Sequence, residues 1–79
     1  MKEVDAKTFG ARLRYLRKER KLSQQELGQM IGKPQTTISD WENGKFLPDI
    51  DEAVEIAKAF GLTISEFLYS EDLPPAACK

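Results

Sequence analysis

The chain has 79 residues, of which 41% are apolar and 32% charged, and its net charge at pH 7 is −1. A chain of this length forms one domain at most and leaves no room for a substrate domain beside a scaffold. It contains one cysteine, Cys78, and no histidine, which removes an internal disulfide, nearly every zinc site and the most common general base. No stretch approaches about 18 consecutive apolar residues and the N-terminus lacks the apolar core of a signal peptide, so we expect a cytoplasmic protein without a membrane span.

Charge is distributed unevenly along the chain. Residues 1–34 contain nine Lys and Arg against four acidic residues, whereas residues 35–79 contain three against nine. The two parts therefore carry net charges of +5 and −6. A polyanionic partner suits one face of the molecule but not its whole surface.

The first half of the sequence predicts two helices. The first is expected to start after Thr8 as N-cap, and its apolar face comprises Phe9, Leu13 and Leu16. The second starts at a capping box in which Ser23 and Glu26 satisfy each other's backbone amides. Leu27, Met30 and Ile31 form its predicted buried stripe, and Gly32 ends it.

A third helix follows after only Lys33 and Pro34, since proline fits the first turn of a helix. Ile38 and Trp41 share its inward face, and Asn43-Gly44 ends it. Its outward face is polar, and the residues on it are Gln35, Thr36, Ser39 and Asp40. Side chains of these types can reach the edges of DNA bases.

Two further capping boxes, Asp49 with Glu52 and Thr63 with Glu66, predict a fourth and a fifth helix. The fourth ends at Gly61, and its predicted buried stripe consists of Ile50, Ala53, Val54, Ile56, Ala57 and Phe60. The expected organisation is an N-terminal arm at 1–7, a helical domain at 8–69 and a flexible tail at 70–79 that contains Cys78.

The second and third helices are too short to be stable alone and must pack on the other helices. The third helix can then stand out from the surface and present its polar face. The alternative that spacing leaves open is an ordinary five-helix bundle whose exposed residues are polar by chance.

An ordered set of motifs covers about residues 8–69. The motifs are Phe9-Gly10-x-Arg12-Leu13-x-x-Leu16-Arg17, Leu22-Ser23-Gln24-x-Glu26-Leu27, Ile38-Ser39-x-Trp41-Glu42-Asn43-Gly44, and Pro48 with Ile56-Ala57-Lys58-Ala59-Phe60-Gly61. The set resembles the phage repressor and Cro type (XRE-like) of helix-turn-helix DNA-binding domains. The resemblance implies an all-α, compact five-helix bundle of the lambda-repressor type. It also implies a transcriptional regulator that usually works as a homodimer.

The same resemblance implies roles for individual residues. The base contacts in the major groove would come from Gln35, Thr36, Ser39 and Asp40. The phosphate contacts would come from Ser23, Gln24, Thr37, Asn43 and Lys45, with Arg17 behind them. Arg17 and Glu42 would form a structural salt bridge between the first and third helices. Ile64, Phe67 and Leu68 are the candidate dimer patch.

The sequence departs from the family at two positions. Pro34 stands where relatives often have a serine or threonine that caps the recognition helix. Asp40 stands where many have a basic residue or glutamine. An anion there repels phosphate, but it could accept a hydrogen bond from cytosine, exclude wrong sequences or touch nothing.

Two functions stay open at this point. One is a sequence-specific regulator of transcription that binds double-stranded DNA, a repressor acting as a homodimer on a palindromic operator. The other is an antitoxin-like or adaptor module that binds a second protein through the acidic half. We expect no enzyme activity, metal, cofactor or small-molecule ligand, because the chain has no histidine, phosphate loop or metal-ligand set.

Overall fold

A computed structural model describes residues 5–69, with the side chain of residue 69 left aside. Residues 1–4 and 70–79 lie outside this range, so the predictions made for the tail and for Cys78 are not addressed. The helices are α1 (Ala6–Glu19), α2 (Gln24–Ile31), α3 (Gln35–Glu42), α4 (Ile50–Ala59) and α5 (Ile64–Tyr69). Residues 5–69 contain no strand, and the predicted all-α bundle of five helices is confirmed.

Local capping explains where most of these helices begin. The predicted reciprocal hydrogen bonds form between Ser23 and Glu26 and between Asp49 and Glu52. The third box forms as well, since the Thr63 hydroxyl accepts from the Glu66 amide at 3.0 Å and the Thr63 amide donates to the Glu66 carboxylate at 2.9 Å.

The predicted start of α1 was wrong. Asp5, and not Thr8, is the N-cap, because the Thr8 amide donates to the Asp5 carboxylate at 2.7 Å. Ala6 and Lys7, assigned to the arm, therefore belong to the first turn of α1. The hydrogen bond from the Thr8 amide to the Asp5 carboxylate lowers the pKa of Asp5 below its usual value.

The core is formed by side chains from all five helices. Its largest fully buried side chains are Trp41, Phe9, Phe67, Leu13, Leu27, Ile38 and Ile56, which confirms the inward direction of Ile38 and Trp41. The Phe67 ring meets the Phe9 ring edge-on, with centroids 5.3 Å apart, and stacks on the Phe60 ring at 6.2 Å. α5 thus adds one aromatic anchor to the core.

Two predicted core residues are in fact exposed. Met30 is 52% exposed because the buried side of α2 is centred on Leu27 and Gly28, about 100–110° around the helix from position 30. Ile50 is 68% exposed because it is the first residue of α4 and projects beyond the buried stripe that starts at Ala53.

α1 and α3 approach closely at Gly10. A Cβ atom at this position would collide with the carbonyl oxygen of Trp41 and would lie 2.7 Å from that of Glu42. Only glycine lets the backbone of α1 rest on the last turn of α3, and this contact holds α3 against the core. None of the helices in the described part of the chain is long and apolar enough to cross a membrane.

Candidate nucleic-acid interface

α2 and α3 are joined by a tight turn at 32–34. Gly32 adopts a left-handed conformation with φ of 72°, and the Lys33 amide donates to the Gly28 carbonyl at 2.8 Å. Gly28 has no room for a Cβ atom because the Lys33 carbonyl oxygen occupies that space. This compact turn fixes the angle at which α3 leaves α2.

An ion pair fastens the turn to α4. The Lys33 ammonium lies 2.6 Å from the Glu52 carboxylate. The hydrogen bond from Lys33 holds the pKa of Glu52 below its ordinary value, with help from the Asp49 amide, and the same bond raises the pKa of Lys33. The sequence did not predict this pair, because Lys33 lies in the turn, nineteen positions before Glu52 of α4.

α3 places the predicted base-contacting residues on one surface. Gln35 and Thr36 are exposed at its start, and Ser39 and Asp40 are partly exposed one turn later. As the sequence indicated, Pro34 supplies no side-chain cap, so the start of α3 is held by packing and by the turn. Ile38 and Trp41 anchor its inner side.

Arg17 and Glu42 form the predicted salt bridge between α1 and α3. Arg17 Nε and Nη2 donate to the two Glu42 carboxylate oxygens at 2.6 and 3.0 Å. The remaining guanidinium nitrogen, Nη1, donates to the Leu22 carbonyl at 2.8 Å. The two side chains are only 11% and 2% exposed, so this is a buried, bidentate pair.

A chain of hydrogen bonds continues from this pair to the exposed start of α3. Gln24 Nε2 donates to Glu42 Oε1 at 3.1 Å, and Gln35 Nε2 donates to Gln24 Oε1 at 2.7 Å. The sequence predicts separate roles for Gln24, Gln35 and Glu42 but not their connection. No sequence signal could have found it, because the connection exists only once α2 and α3 are packed.

The connection leaves Gln35 able to read a base. A glutamine amide has two N–H donors and one acceptor oxygen. The bond to Gln24 occupies one donor, so the second donor and the oxygen of Gln35 remain. These are the two groups that pair with N7 and N6 of adenine. The bond to Gln24 restrains the Gln35 amide, and the Gln35 side chain is exposed.

The predicted phosphate contacts occupy both ends of the helix pair. Ser23 and Gln24 lie at the start of α2, and Asn43 and Lys45 lie in the turn after α3. Asn43 Nδ2 donates to Ser39 Oγ at 3.3 Å. Thr37 is partly buried in the first turn of α3.

Asp40 is engaged by a neighbour within the same surface. Its carboxylate lies 3.4 Å from the Lys45 ammonium; the Asp40 side chain is partly exposed and the Lys45 side chain is exposed. Asp40, a predicted base contact, thus partly neutralises the charge of Lys45, a predicted phosphate contact.

The predicted dimer patch needs one correction. Phe67 is fully buried in the core and cannot contact a second molecule, whereas Ile64 and Leu68 are partly exposed. Larger apolar exposure lies next to Leu68 around a cavity of about 210 Å³, where Leu47 is 44% and Ile50 68% exposed. The periodicity of a short helix could not tell Phe67 in the core from its neighbours at the surface.

Comparison with known proteins agrees with this geometry. The helix-turn-helix family model matches residues 13–67, and the chain belongs to this family, in its phage repressor and Cro (XRE) branch.

Among residues 5–69, no group of His, Cys, Asp and Glu is arranged to hold a metal ion.

The chain is similar to regulators of phage and bacterial origin. It is 37% identical over 65 residues to the HTH-type transcriptional activator BcrR of Enterococcus faecalis, a match that covers 82% of this chain and 32% of BcrR. It is 34% identical over 68 residues to the ImmF control region 10 kDa protein of Bacillus phage phi105, covering 86% of this chain and 76% of that protein. The chain therefore spans about a third of BcrR and about three quarters of the phage protein.

A solved structure of the P22 c2 repressor protein, in complex with a synthetic operator, superimposes on this chain with a TM-score of 0.73. The identity is 30%, and the match covers 80% of this chain and 96% of the other. The arrangement of α1 to α5 is therefore that of a repressor domain.

Proposed function

We propose that the protein is a sequence-specific regulator of transcription that binds double-stranded DNA, and specifically a repressor. The observation that carries the proposal is the exposed start of α3, where Gln35 is held by Gln24 and keeps a free donor and acceptor. The P22 c2 repressor, similar in fold and 30% identical, was solved in complex with an operator.

In this proposal α3 enters the major groove. Gln35 and Thr36 contact base edges first, and Ser39 and Asp40 lie one turn further along. Ser23, Gln24, Thr37, Asn43 and Lys45 contact phosphates at both ends of the helix pair. Arg17 acts behind them by orienting Glu42, which in turn holds Gln24. Phosphate contacts fix the register of the helix on the duplex, and base contacts select the sequence.

The working unit in this proposal is a homodimer on a palindromic operator. One α3 of eight residues reads only a few base pairs, whereas two copies related by a two-fold axis read two half-sites about 34 Å apart. The candidate for the axis is the apolar surface formed by Leu47, Ile50 and Leu68, together with the predicted patch residue Ile64. Covering exposed apolar side chains of this kind favours association.

A gel shift tests the proposal directly. The probe is the DNA just upstream of the protein's own gene, at low and at moderate salt, and wild type is compared with Gln35→Ala and with Gln29→Ala as a matched control. Gln29 is an exposed glutamine of α2 on the side away from Gln24. We expect a salt-sensitive shift that Gln35→Ala weakens and Gln29→Ala leaves unchanged. No shift at micromolar protein would contradict DNA binding and favour the antitoxin-like alternative.

The dimer is tested separately by sedimentation of the protein–DNA complex. Two protomers per duplex are expected for wild type. Ile50→Asp places a charge in the proposed interface and should give one protomer per duplex with weaker binding. A wild-type complex with one protomer would contradict the homodimer while leaving DNA binding intact.

A further inference from the structure

One side of α1 carries a row of exposed cations that the proposed contacts do not use. Lys7, Arg14 and Lys18 recur at spacings of seven and four residues, which places them on one side of the helix. Lys21 follows just after the C-terminal end of α1, where its backbone has a positive φ of 57°. All four side chains are exposed, and none of them takes part in an ion pair within residues 5–69. We call these four residues the α1 stripe.

The two ends of the α1 stripe lie beside the two places where we propose phosphate contacts. At one end, Lys7 packs on the turn after α3, since a Cβ atom at Gly44 would lie 3.1 Å from Lys7 Cγ. At the other end, Lys21 precedes the Ser23 cap of α2 by two residues. The stripe therefore runs from the turn that holds Lys45 to the start of α2.

The middle of the stripe borders the buried link between α1 and α3. Arg17 lies three residues after Arg14, so the two are neighbours on the helix surface. It reaches α3 through Glu42 and the start of α2 through the Leu22 carbonyl. The stripe is thus on the edge of α1 next to the helix pair. The acidic residue of α1, Glu19, is five positions from Arg14 and lies on another side.

We propose that the α1 stripe is a second phosphate-binding track, which extends the DNA contact beyond the helix pair. This inference rests on the proposed function. Its occupant is the sugar-phosphate backbone of the bound duplex, because a row of exposed cations without an ion pair among residues 5–69 complements a polyanion. From Lys7 to Lys18 the stripe extends about 16 Å along the helix, a length that spans several phosphates.

The track contributes affinity without base preference. Each cation that neutralises a phosphate contributes about 0.9 to the slope of log affinity against log salt. The ratio of the affinity at 50 mM salt to the affinity at 200 mM salt should therefore be about 3.5-fold smaller when one such contact is removed. It should be about 40-fold smaller when three are removed. The preference for one DNA sequence over another should not change.

The test uses charge-neutralising variants and a fluorescently labelled, mixed-sequence duplex of 30 base pairs. Lys7→Gln, Arg14→Gln and Lys18→Gln are made singly and together, and Lys58→Gln is the matched control on α4. Lys58 is also an exposed cation near the end of a helix. Affinities are measured by fluorescence anisotropy from 50 to 400 mM salt, and circular dichroism confirms that each variant is folded.

We expect each stripe variant to lower the salt slope by about one unit and the triple variant by nearly three, while Lys58→Gln leaves the slope unchanged. A triple variant that changes the slope no more than Lys58→Gln would overturn the track. If the triple variant fails in this way but Lys45→Ala lowers the slope in the same experiment, only the track is overturned and the proposed function stands. If the wild-type protein shows no salt-dependent binding to any duplex, the proposed function and the track fail together.

Discussion

The substitution Glu42→Ala tests how α1 holds α3. It removes the acceptors of Arg17 Nε and Nη2 and leaves the guanidinium with the Leu22 carbonyl. The Arg17 side chain is only 11% exposed, so water cannot replace the carboxylate without a change in packing. Removing one partner of a buried ion pair costs about 3–5 kcal/mol.

That loss is large for a domain of this size. A chain of 79 residues has a free energy of unfolding of about 4–12 kcal/mol at 0.05–0.15 kcal/mol per residue. Each kcal/mol shifts the melting temperature of such a domain by about 4–8 °C. We therefore expect Glu42→Ala to lower the melting temperature by at least about 12 °C.

Thermal melting followed by far-UV circular dichroism measures the shift, and the fluorescence of the buried Trp41 gives an independent transition. Glu55→Ala, at an exposed position of α4, is the control and should stay within about 0.5 kcal/mol of wild type. The double substitution Arg17→Met with Glu42→Leu should recover stability relative to Glu42→Ala, because it removes the unpaired charge. A melting temperature for Glu42→Ala within about 4 °C of wild type would refute the reasoning.

Three further predictions follow from the described contacts. Gly10→Ala should destabilise the fold, because its Cβ atom would collide with the Trp41 carbonyl; an unchanged melting temperature would contradict the close approach of α1 and α3. Glu52→Gln should destabilise the fold fully at pH 7, because it removes the ion pair with Lys33. The difference from wild type should disappear as the pH falls below 4.5 and through the lowered pKa of Glu52, since the wild-type carboxylate is then protonated and also loses the pair. Melting curves at pH 7 and pH 3 check this. Lys45→Ala should weaken binding to all DNA sequences alike and lower the salt slope by about one unit, and a changed base preference at an unchanged slope would argue against a phosphate contact.

Features set by neighbouring residues were the ones the sequence predicted well. Each capping box depends on two side chains three residues apart, and all of them formed as expected at Ser23, Asp49 and Thr63. The predicted N-cap of α1 was wrong, because Asp5 and Thr8 are both suitable N-cap residues and the sequence does not choose between them.

Features that depend on packing were predicted less well. Apolar periodicity placed Met30 and Ile50 inside, although Met30 lies away from the buried side of α2 and Ile50 precedes the buried stripe of α4. It also placed Phe67 at the surface, because it does not give the depth of a side chain in the core. The salt bridge of Arg17 with Glu42 followed from family resemblance and not from spacing. The bond between Gln24 and Gln35 joins residues eleven positions apart and arises only from the packing of α2 on α3.

The most direct measurement of the account is a selection of bound DNA from a random duplex library, carried out in parallel with wild type and with Gln35→Ala. We predict that wild type enriches a two-fold symmetric site with adenine at one fixed position in each half-site. Gln35→Ala should lose that preference in both half-sites and keep the rest of the site, at a cost of about 1–3 kcal/mol per half-site. The same enriched sequence with both proteins, or no enrichment by wild type, would contradict base reading by the start of α3.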